Sequence, residues 1–377
     1  MTDSTSEMER QLRILMDIAA GEPRHPVTIG MVRRQARRRL ITAAAAAAAI
    51  VLAGGTGAAL AARTPGQPAG PAVARAGLGG PHDWPLTAEF SPSGRLVVTA
   101  DTDGTARLWN VATRQQDGAP IRVHGKVLDA VFSPDGQLVA TADSDGTVRL
   151  WDVRTHRQAG AAFRISRVRV SGVAFSPDGR LLATAGIGGS ARLWDVATRR
   201  EVGAAMTPPR GAETVAFSPD GKLLATVNGD YTARLWSVAT QHQVGRPIGH
   251  NTPEGGAVLG LSFSPDGKLL ATAGNAGRQI RLWSVATQRR AGRGMQAGNS
   301  DAYAAVFTPD GKTLISVDTD GTIRQFSVAT QRPVRGTIAP RPAPEFILAA
   351  LSPDGKILLT TRFLGPAQFW NLASARP

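Results

Sequence analysis

Cysteine is absent from this chain of 377 residues, and aromatic residues make up only 5% of it. Without cysteine the chain cannot form disulfides, thiolate metal sites or a cysteine nucleophile, and it offers no cysteine for lipid attachment. Most of the seven tryptophans fall within one stretch that recurs along the sequence. The few aromatic residues therefore point to a repeated architecture and not to a single reactive centre.

Patterns that bind metals, cofactors or phosphates are also missing. The six histidines are scattered without the His-x-x-x-His spacing of zinc sites. Three stretches, DTDG (101–104), DSDG (143–146) and DTDG (318–321), resemble pieces of calcium loops, but none continues to the glutamate that such loops need. There is no phosphate loop, and no nucleophile elbow accompanies a triad. We therefore expect no metal and no cofactor, and we predict that the protein is not an enzyme.

One stretch recurs with small changes along most of the chain. FSPDGKLLATAG occupies residues 263–274, and FSPDGRLLATAG occupies residues 175–186. Each copy is followed by a second stretch of the type ARLWDVAT (191–198). The copies are 42 to 46 residues apart, a period that fits a propeller blade. Their anchor residues are, in order, Phe90, Phe132, Phe175, Phe217, Phe263, Phe307 and Leu351.

The second copy shows how one repeat divides into strands. VLDAVF (127–132) ends at the anchor, and Ser-Pro-Asp-Gly follows as a tight turn. LVATAD (138–143) is apolar enough to be buried on both faces, and TVRLWDV (147–153) alternates with period two. QAGAAFRI (158–165) is a weaker fourth strand. We predict one antiparallel sheet per copy, which buries its faces only when the copies pack in a ring.

The seven copies, with their endings of the Leu-Trp-Asp-Val type, resemble the WD-repeat β-propellers over about residues 81–377. The resemblance implies an all-β fold, a seven-bladed propeller, which we expect to follow a short N-terminal helix and a transmembrane helix. It also implies an interaction scaffold with a protein or peptide partner.

The resemblance further implies a buried hydrogen-bonded set in each complete blade. It consists of an acid in the second turn, a Thr or Ser four residues earlier, a Trp six residues later and a His before the first strand. Blades 3, 5 and 7 lack the acid, so we expect blades of unequal stability. The residues assigned to the set are His82, Thr99, Asp103 and Trp109 in blade 1, His124, Thr141, Asp145 and Trp151 in blade 2, and Thr226, Asp230 and Trp236 in blade 4.

The first eighty residues differ in composition from the repeats. Within residues 1–40, Ser6 and Glu9 form a capping box for a short amphipathic helix, and an arginine cluster follows. Residues 41–62 carry no charge. As a helix they would be about 33 Å long, enough to cross a bilayer core of about 30 Å. Residues 63–80 form a Pro- and Gly-rich tether before the propeller of residues 81–377.

The arginine cluster indicates an orientation for residues 41–62. Because positive residues stay on the cytoplasmic side, we expect a single-pass cell-membrane protein with a cytoplasmic N-terminus and an extracytoplasmic propeller. The alternative is an exported protein, cleaved after the small-residue site Ala59-Leu60-Ala61. A lead of about forty residues is long for a cleaved signal, which favours the uncleaved anchor.

The last copy leaves no room for a fourth strand, because only seven residues follow Trp370. An unpaired third strand would be an exposed sheet edge. Propellers of this type close their ring with a strand from the other end of the chain. We predict that residues 72–78 pair with residues 366–372 and complete the last blade.

A net charge of +14 invites a nucleic-acid interpretation. However, one arginine recurs in most copies of the RLW phrase, which spreads the charge around the ring, so nucleic acid is not favoured. The acids of the first strands are only Glu89, Asp129 and Glu213, which is thin for a catalytic constellation. We favour a monomeric interaction scaffold on a membrane. The alternatives are a propeller hydrolase acting at the channel mouth and a sensor that relays a signal to residues 1–40.

Loops that depart from the repeat are the candidate partner-binding loops, because the fold does not demand their sequences. Their candidate residues are Arg167, Arg169, Arg210, Glu213, His250, Asn251 and Glu254.

Overall fold

The computed structural model describes the repeat region and little else. It covers residue 78 and residues 85–165, 169–186, 189–249, 257–274, 278–298, 300–334, 346–362 and 365–372. The predicted N-terminal helix and residues 41–62 lie outside this part, as does the tether except for Leu78. Among the described residues, no helix is long and apolar enough to span a membrane.

Within the described residues, twenty-six strands form seven antiparallel sheets, and neighbours within a sheet are neighbours in the chain. The first strands are β1 (Pro85–Phe90), β5 (Val127–Phe132), β9 (Val170–Phe175), β13 (Ala212–Phe217), β17 (Val258–Phe263), β21 (Ala302–Phe307) and β24 (Phe346–Leu351). The second strands are β2 (Leu96–Asp101), β6 (Leu138–Asp143), β10 (Leu181–Gly186), β14 (Leu223–Asn228), β18 (Leu269–Gly274), β22 (Thr313–Asp318) and β25 (Ile357–Arg362).

The third strands are β3 (Thr105–Asn110), β7 (Thr147–Asp152), β11 (Ala191–Asp195), β15 (Thr232–Ser237), β19 (Gln279–Ser284), β23 (Ile323–Ser327) and β26 (Gly365–Asn371). Fourth strands are described in five sheets, as β4 (Gln116–Arg122), β8 (Phe163–Arg164), β12 (Glu201–Met206), β16 (Gln243–Gly249) and β20 (Met295–Gln296).

The Ser-Pro-Asp-Gly turn forms because its side chains satisfy its own backbone. In blade 2 the amide of Leu138 donates to Ser133 Oγ at 2.9 Å, and the amide of Gln137 donates to Asp135 Oδ1 at 3.0 Å. Gly136 has a φ of 69°, a left-handed conformation that glycine adopts without strain. The turn leads into β6, which is buried along nearly its whole length, as expected for the central strand of a blade.

The seven blades close into one ring. A Cβ atom built on Gly136 of blade 2 would lie 3.6 Å from Pro92 Cδ of blade 1, and the same Pro-on-Gly contact recurs between successive blades. It also joins the two ends of the series, because a Cβ on Gly94 would lie 3.4 Å from Pro353 Cδ of blade 7. At this seam Phe90 and Phe369 meet edge to face, with ring centroids 6.3 Å apart. The predicted all-β, seven-bladed propeller is confirmed.

Leu78 takes part in the seam as well. Its amide donates to the Ala367 carbonyl and its carbonyl accepts from the Ala367 amide, each at 3.0 Å. The Leu78 side chain is fully buried in a cluster with Trp109, Leu359 and Phe369. The pairing at Leu78 agrees with the predicted closing strand, while residues 72–77 lie outside the described part.

A second ring of contacts joins the blades at their outer strands. Five residues after the third-strand Trp of blades 1 to 5, and after Phe326 in blade 6, stands a residue with positive φ. In blades 2 to 6 its side chain approaches the segment that follows the third strand of the preceding blade. In blade 5, Gln288 Nε2 donates to the Val244 carbonyl at 2.9 Å, and its Oε1 accepts from the Arg246 amide at 2.7 Å. We call these the latch residues: Arg114, His156, Arg199, Gln241, Gln288 and Gln331.

The first latch residue acts on a different partner. The Arg114 guanidinium lies over the ring of Phe369 in blade 7, with its carbon 5.5 Å from the ring centroid. A cation over an aromatic face is attracted by the ring quadrupole. The latch residue of blade 1 therefore reaches across the seam to a third strand, whereas the other described latch residues reach the segment that follows the third strand of the preceding blade.

Candidate functional site

The Thr and Trp residues that the sequence assigned to the turn network meet in the structure. The indole Nε1 of Trp109 donates to Thr99 Oγ1 at 2.9 Å, and that of Trp151 donates to Thr141 Oγ1 at 3.0 Å. The same bond occurs in blades 3, 4, 5 and 7, at 2.8 to 3.0 Å. The bond between the second and third strands therefore does not depend on an acid in the turn.

The acid of the network is not the one expected. In blade 1, Thr99 Oγ1 donates to Asp101 Oδ2 at 3.2 Å, and Asp101, not Asp103, is the buried carboxylate. Asp103 stands farther out and accepts from the amide and hydroxyl of Thr105. The physical reason is the alternation of the strand. Asp101 ends β2 two residues after Thr99, so its side chain lies on the same face as that of Thr99, whereas Asp103 belongs to the turn.

An arginine bridges the two acids. Arg107 donates to Asp101 Oδ2 at 2.7 Å and to Asp103 Oδ2 at 2.6 Å. In blade 2, Arg149 contacts Asp143 and Asp145 in the same way. We call this arrangement, in which one third-strand arginine holds one or two carboxylates at the second turn, the arginine fork. The signal for it was in the sequence, since the arginine stands two residues before the Trp.

Blades 4 and 6 vary the fork. In blade 4, Asn228 takes the place of the buried acid and accepts from Thr226 Oγ1 at 2.8 Å, while Arg234 pairs with Asp230 at 2.6 Å. In blade 6, Arg324 pairs with Asp318. The predicted network does not include Asp101, Asp143, Asn228 and Asp318, because the resemblance assigns the acid to the turn only.

The buried acids of the fork are held at some electrostatic cost. Burial raises the pKa of Asp101 to about 7, although the adjacent Arg107 acts in the opposite direction. Among the described residues Asp101 Oδ1 has no hydrogen-bond partner, so one carboxylate oxygen is enclosed without a donor. Burial likewise raises the pKa of Asp143 and of Asp318 to about 7.

Histidine takes no part in the described network. His124, assigned to blade 2, is exposed and so does not belong to the buried set. His82 lies outside the described residues. The arginine fork occupies the role that the resemblance assigned to histidine, because its guanidinium supplies the donors that a buried acid needs.

The first strands of successive blades neighbour one another and so line the centre of the ring. Each interrupts its pairing with the second strand at the same place, as between Pro85 and Thr87 in β1. A bulge of this kind re-aims the side chain of the extra residue. These residues lie near the beginning of the first strands, and we call those of blades 1 to 6 the channel-mouth ring: Leu86, Leu128, Ser171, Glu213, Leu259 and Tyr303.

Two first-strand acids connect neighbouring blades. Glu89 Oε2 accepts from the Phe132 amide at 2.9 Å, and Asp129 Oδ2 accepts from the Val173 amide at 3.1 Å. Burial raises the pKa of Glu89 to about 8 and that of Asp129 to about 6. First strands are the inner edges of their sheets, and these carboxylates satisfy amides that the edges leave free.

Three of the candidate loop residues are described. Glu213 is a member of the channel-mouth ring, and partial desolvation by the surrounding protein atoms raises the pKa of its exposed side chain. Its carbonyl accepts from Ser171 Oγ at 2.6 Å. Arg169 lies just before β9, and Arg210 lies in the turn before β13 with a φ of 61°. Arg167, His250, Asn251 and Glu254 lie outside the described residues.

No group of three or more His, Cys, Asp or Glu side chains suited to a metal ion occurs within the described ranges.

The sequence model of the family described as WD domain, G-beta repeat, matches residues 78–110, 118–152, 164–195, 211–237, 242–284 and 295–327, together more than half of the chain. No curated protein matches the chain. The six matched ranges correspond to the first six blades.

Proposed function

Because the chain belongs to the WD domain, G-beta repeat family, whose propellers generally serve as protein-interaction scaffolds, we propose that it binds a protein or peptide partner at the channel-mouth ring. The observation that carries the proposal is the repeated bulge in the first strands. It presents Leu86, Leu128, Leu259 and Tyr303 as partly exposed side chains around the centre of the ring. Accessible apolar side chains with a few polar groups among them are typical of binding sites.

The polar members of the ring indicate what the partner presents. Glu213 is the one acid of the ring, and it is exposed to solvent at the mouth. A partner segment with an apolar side chain flanked by a basic group would bury the first among the leucines and place the second against Glu213. Arg169 and Arg210, which precede the first strands of blades 3 and 4, would repel a second basic group there and so limit the charge of the segment.

The inner acids support a binding role over hydrolysis. Glu89 and Asp129 both accept backbone amides of the next blade, at 2.9 and 3.1 Å. A carboxylate with this structural task is not free to orient toward a substrate. Among the acids within the described first strands, only Glu213 would then be available to a hydrolase, whereas general acid–base hydrolysis usually employs two groups.

Site-specific photo-crosslinking tests the proposal. A photoreactive residue is placed at Leu259 or Tyr303, and in a control protein at Val334, which is 49% exposed and lies beyond the third strand of blade 6. We expect a discrete crosslinked partner from the channel-mouth positions and not from the control. Tyr303→Ala should reduce its yield. Equal yields from Tyr303 and Val334 would contradict the proposal.

We place this scaffold on the outer side of the cell membrane, held by residues 41–62. The support is the uncharged run directly after the arginine cluster. Protease added to intact protoplasts should digest the propeller, and deletion of residues 41–62 should move the protein to the cytosolic fraction. Protection of the propeller until lysis would refute the orientation. A mature chain that begins near Arg63 would indicate cleavage instead.

A further inference from the structure

Blade 5 keeps the arginine of the fork but lacks its acids. Arg281 stands two residues before Trp283, as Arg107 stands before Trp109. The position of the buried acid is Gly274, and the position of the turn acid is Gly277. In every other described blade with an arginine at this place, the arginine is paired with an acid. Arg192 of blade 3, which lacks both fork acids, contacts Glu201 at 2.5 Å.

Arg281 is nevertheless a buried residue. It is 8% exposed, and its enclosed Nε atom has no hydrogen-bond partner among the described residues. A buried guanidinium without an anion loses its hydration and gains no ion pair in return. Burial and then the nearby Arg290 lower the pKa of Arg281, which shows that its surroundings disfavour its positive charge.

The stretch of sequence around Arg281 carries positive charge and no negative charge. Residues 267–300 contain Lys268, Arg278, Arg281, Arg289, Arg290 and Arg293 and no Asp or Glu. Arg290 Nη2 lies 3.5 Å from Gln279 Oε1, and Gln279 stands on the same face of β19 as Arg281. The amide Nε2 of Gln279 lies near Gln296 Oε1, at 3.3 Å. Among the described residues, Arg281, Arg290 and Gln279 therefore form a polar set without an anion.

We propose that Arg281 and Arg290 form a carboxylate-binding site in blade 5, which takes an Asp or Glu side chain of an acidic partner segment. The repeat itself supplies the argument for a carboxylate. In blades 1 and 2 the chain places carboxylates against the equivalent arginine, and the planar fork of the guanidinium matches their geometry. In blade 5 the partner supplies the group that Gly274 cannot. This site is separate from the channel-mouth ring and adds a second binding site to the function proposed there.

Thermal unfolding of the full-length protein tests this site without a partner. Melting is followed in sodium acetate and in sodium chloride at equal ionic strength, and then with the peptides acetyl-Gly-Glu-Glu-Gly-amide and acetyl-Gly-Gln-Gln-Gly-amide. A ligand that binds only the folded state raises the melting temperature by mass action. We expect acetate and the glutamate peptide to raise it by a few degrees relative to chloride and the glutamine peptide.

Three variants decide whether Arg281 is responsible. Gly274→Asp supplies the acid found at the equivalent position in blades 1, 2 and 6, so it should raise the melting temperature in chloride and abolish the response to acetate. Arg281→Gln, which copies Gln368 of blade 7, should also abolish the response. Arg289→Gln removes the same charge from an exposed site of the same blade and should retain it.

Several results would overturn the site. They are an acetate response that persists in Gly274→Asp, a Gly274→Asp protein less stable than the wild type, or loss of the response in Arg289→Gln. A larger rise with sodium phosphate than with acetate at equal ionic strength would assign the site to phosphate and refute the carboxylate. If Arg281→Gln does not fold, Gly274→Asp decides alone. Failure of the channel-mouth crosslinking would leave these results unaffected.

Discussion

The Glu89 carboxyl should make the stability of the propeller fall as pH rises toward 8. Its pKa is raised from 4.5 to about 8, chiefly by burial; the Phe132 amide acts against this shift, and the neighbouring Asp129 adds to it. Since the folded pKa lies above the unfolded one, the stabilising contribution is complete below pH 4.5 and is lost as pH rises through about 8. The cause is the burial of a charge that has only one backbone donor.

The change to make is Glu89→Gln, because glutamine has the shape of the protonated acid and can still accept from the Phe132 amide. One pKa unit corresponds to ~1.4 kcal/mol, so the shift implies a penalty for ionisation on the order of 5 kcal/mol. Near pH 5 the two proteins should unfold at nearly the same urea concentration. Above pH 8 the variant should be the more stable by a few kcal/mol.

Tryptophan fluorescence during urea unfolding at several values between pH 5 and pH 8.5 gives the comparison. Asp178→Asn is the control, since the Ser176 hydroxyl lowers the pKa of Asp178, and the contribution of Asp178 to stability is lost only as pH falls below 3.8. The control should run parallel to the wild type throughout this range. If Glu89→Gln also runs parallel to the wild type, Glu89 is not the buried acid that we describe.

Three further predictions concern stability, each measured by urea unfolding. Leu78→Ala should cost about 2–5 kcal/mol because Leu78 is fully buried at the seam, whereas Val334→Ala, at an exposed site, should change stability by less than about 0.5 kcal/mol. Asp143→Ala should cost about 3 kcal/mol and Asp145→Ala less than about 1 kcal/mol, because the Asp143 side chain is fully buried and that of Asp145 is 32% exposed; the reverse order would restore the turn acid to the network. Gln288→Ala removes two hydrogen bonds to β16 and should cost about 1–3 kcal/mol, with faster amide exchange in β16 as the local readout; unchanged exchange there would contradict the latch.

The blades could be predicted from the sequence because their signals are local and occur seven times. Pro, Asp and Gly in Ser-Pro-Asp-Gly specify a turn within a few residues, and the apolar run 138–143 can only be a central strand beside it. The Thr–Trp pair also follows from spacing. Thr99 lies opposite Arg107, and Trp109 stands two residues after Arg107, so Thr99 and Trp109 are diagonal neighbours on one face of the hairpin. Because the pattern occurs seven times, local signals that are weak in one copy are enough to predict the fold.

The contacts between blades could not be predicted in the same way, because their partners lie about forty residues apart. Gln288 reaches β16, and Glu89 reaches Phe132, through distances that only the assembled ring defines. The buried Asp101 was missed for a different reason. Asp101 stands two residues after Thr99, but the resemblance assigns the acid to the turn. In the sequence alone, the arginine that pairs with Asp101 looks like one of many surface charges.

The two rings of contacts between blades have a consequence for how such a chain can grow. In the described part of the chain, blades 2 to 5 each carry both halves of both contacts: the Pro and the Gly of the first turn, and a latch residue together with the outer segment that receives the next latch residue. A duplicate of such a blade would therefore form both contacts with its neighbours on either side. These described contacts do not by themselves fix the number of blades. The joint between blades 7 and 1 differs from the other described joints, because there Arg114 lies over Phe369 of a third strand, and it is at this joint that the ring closes.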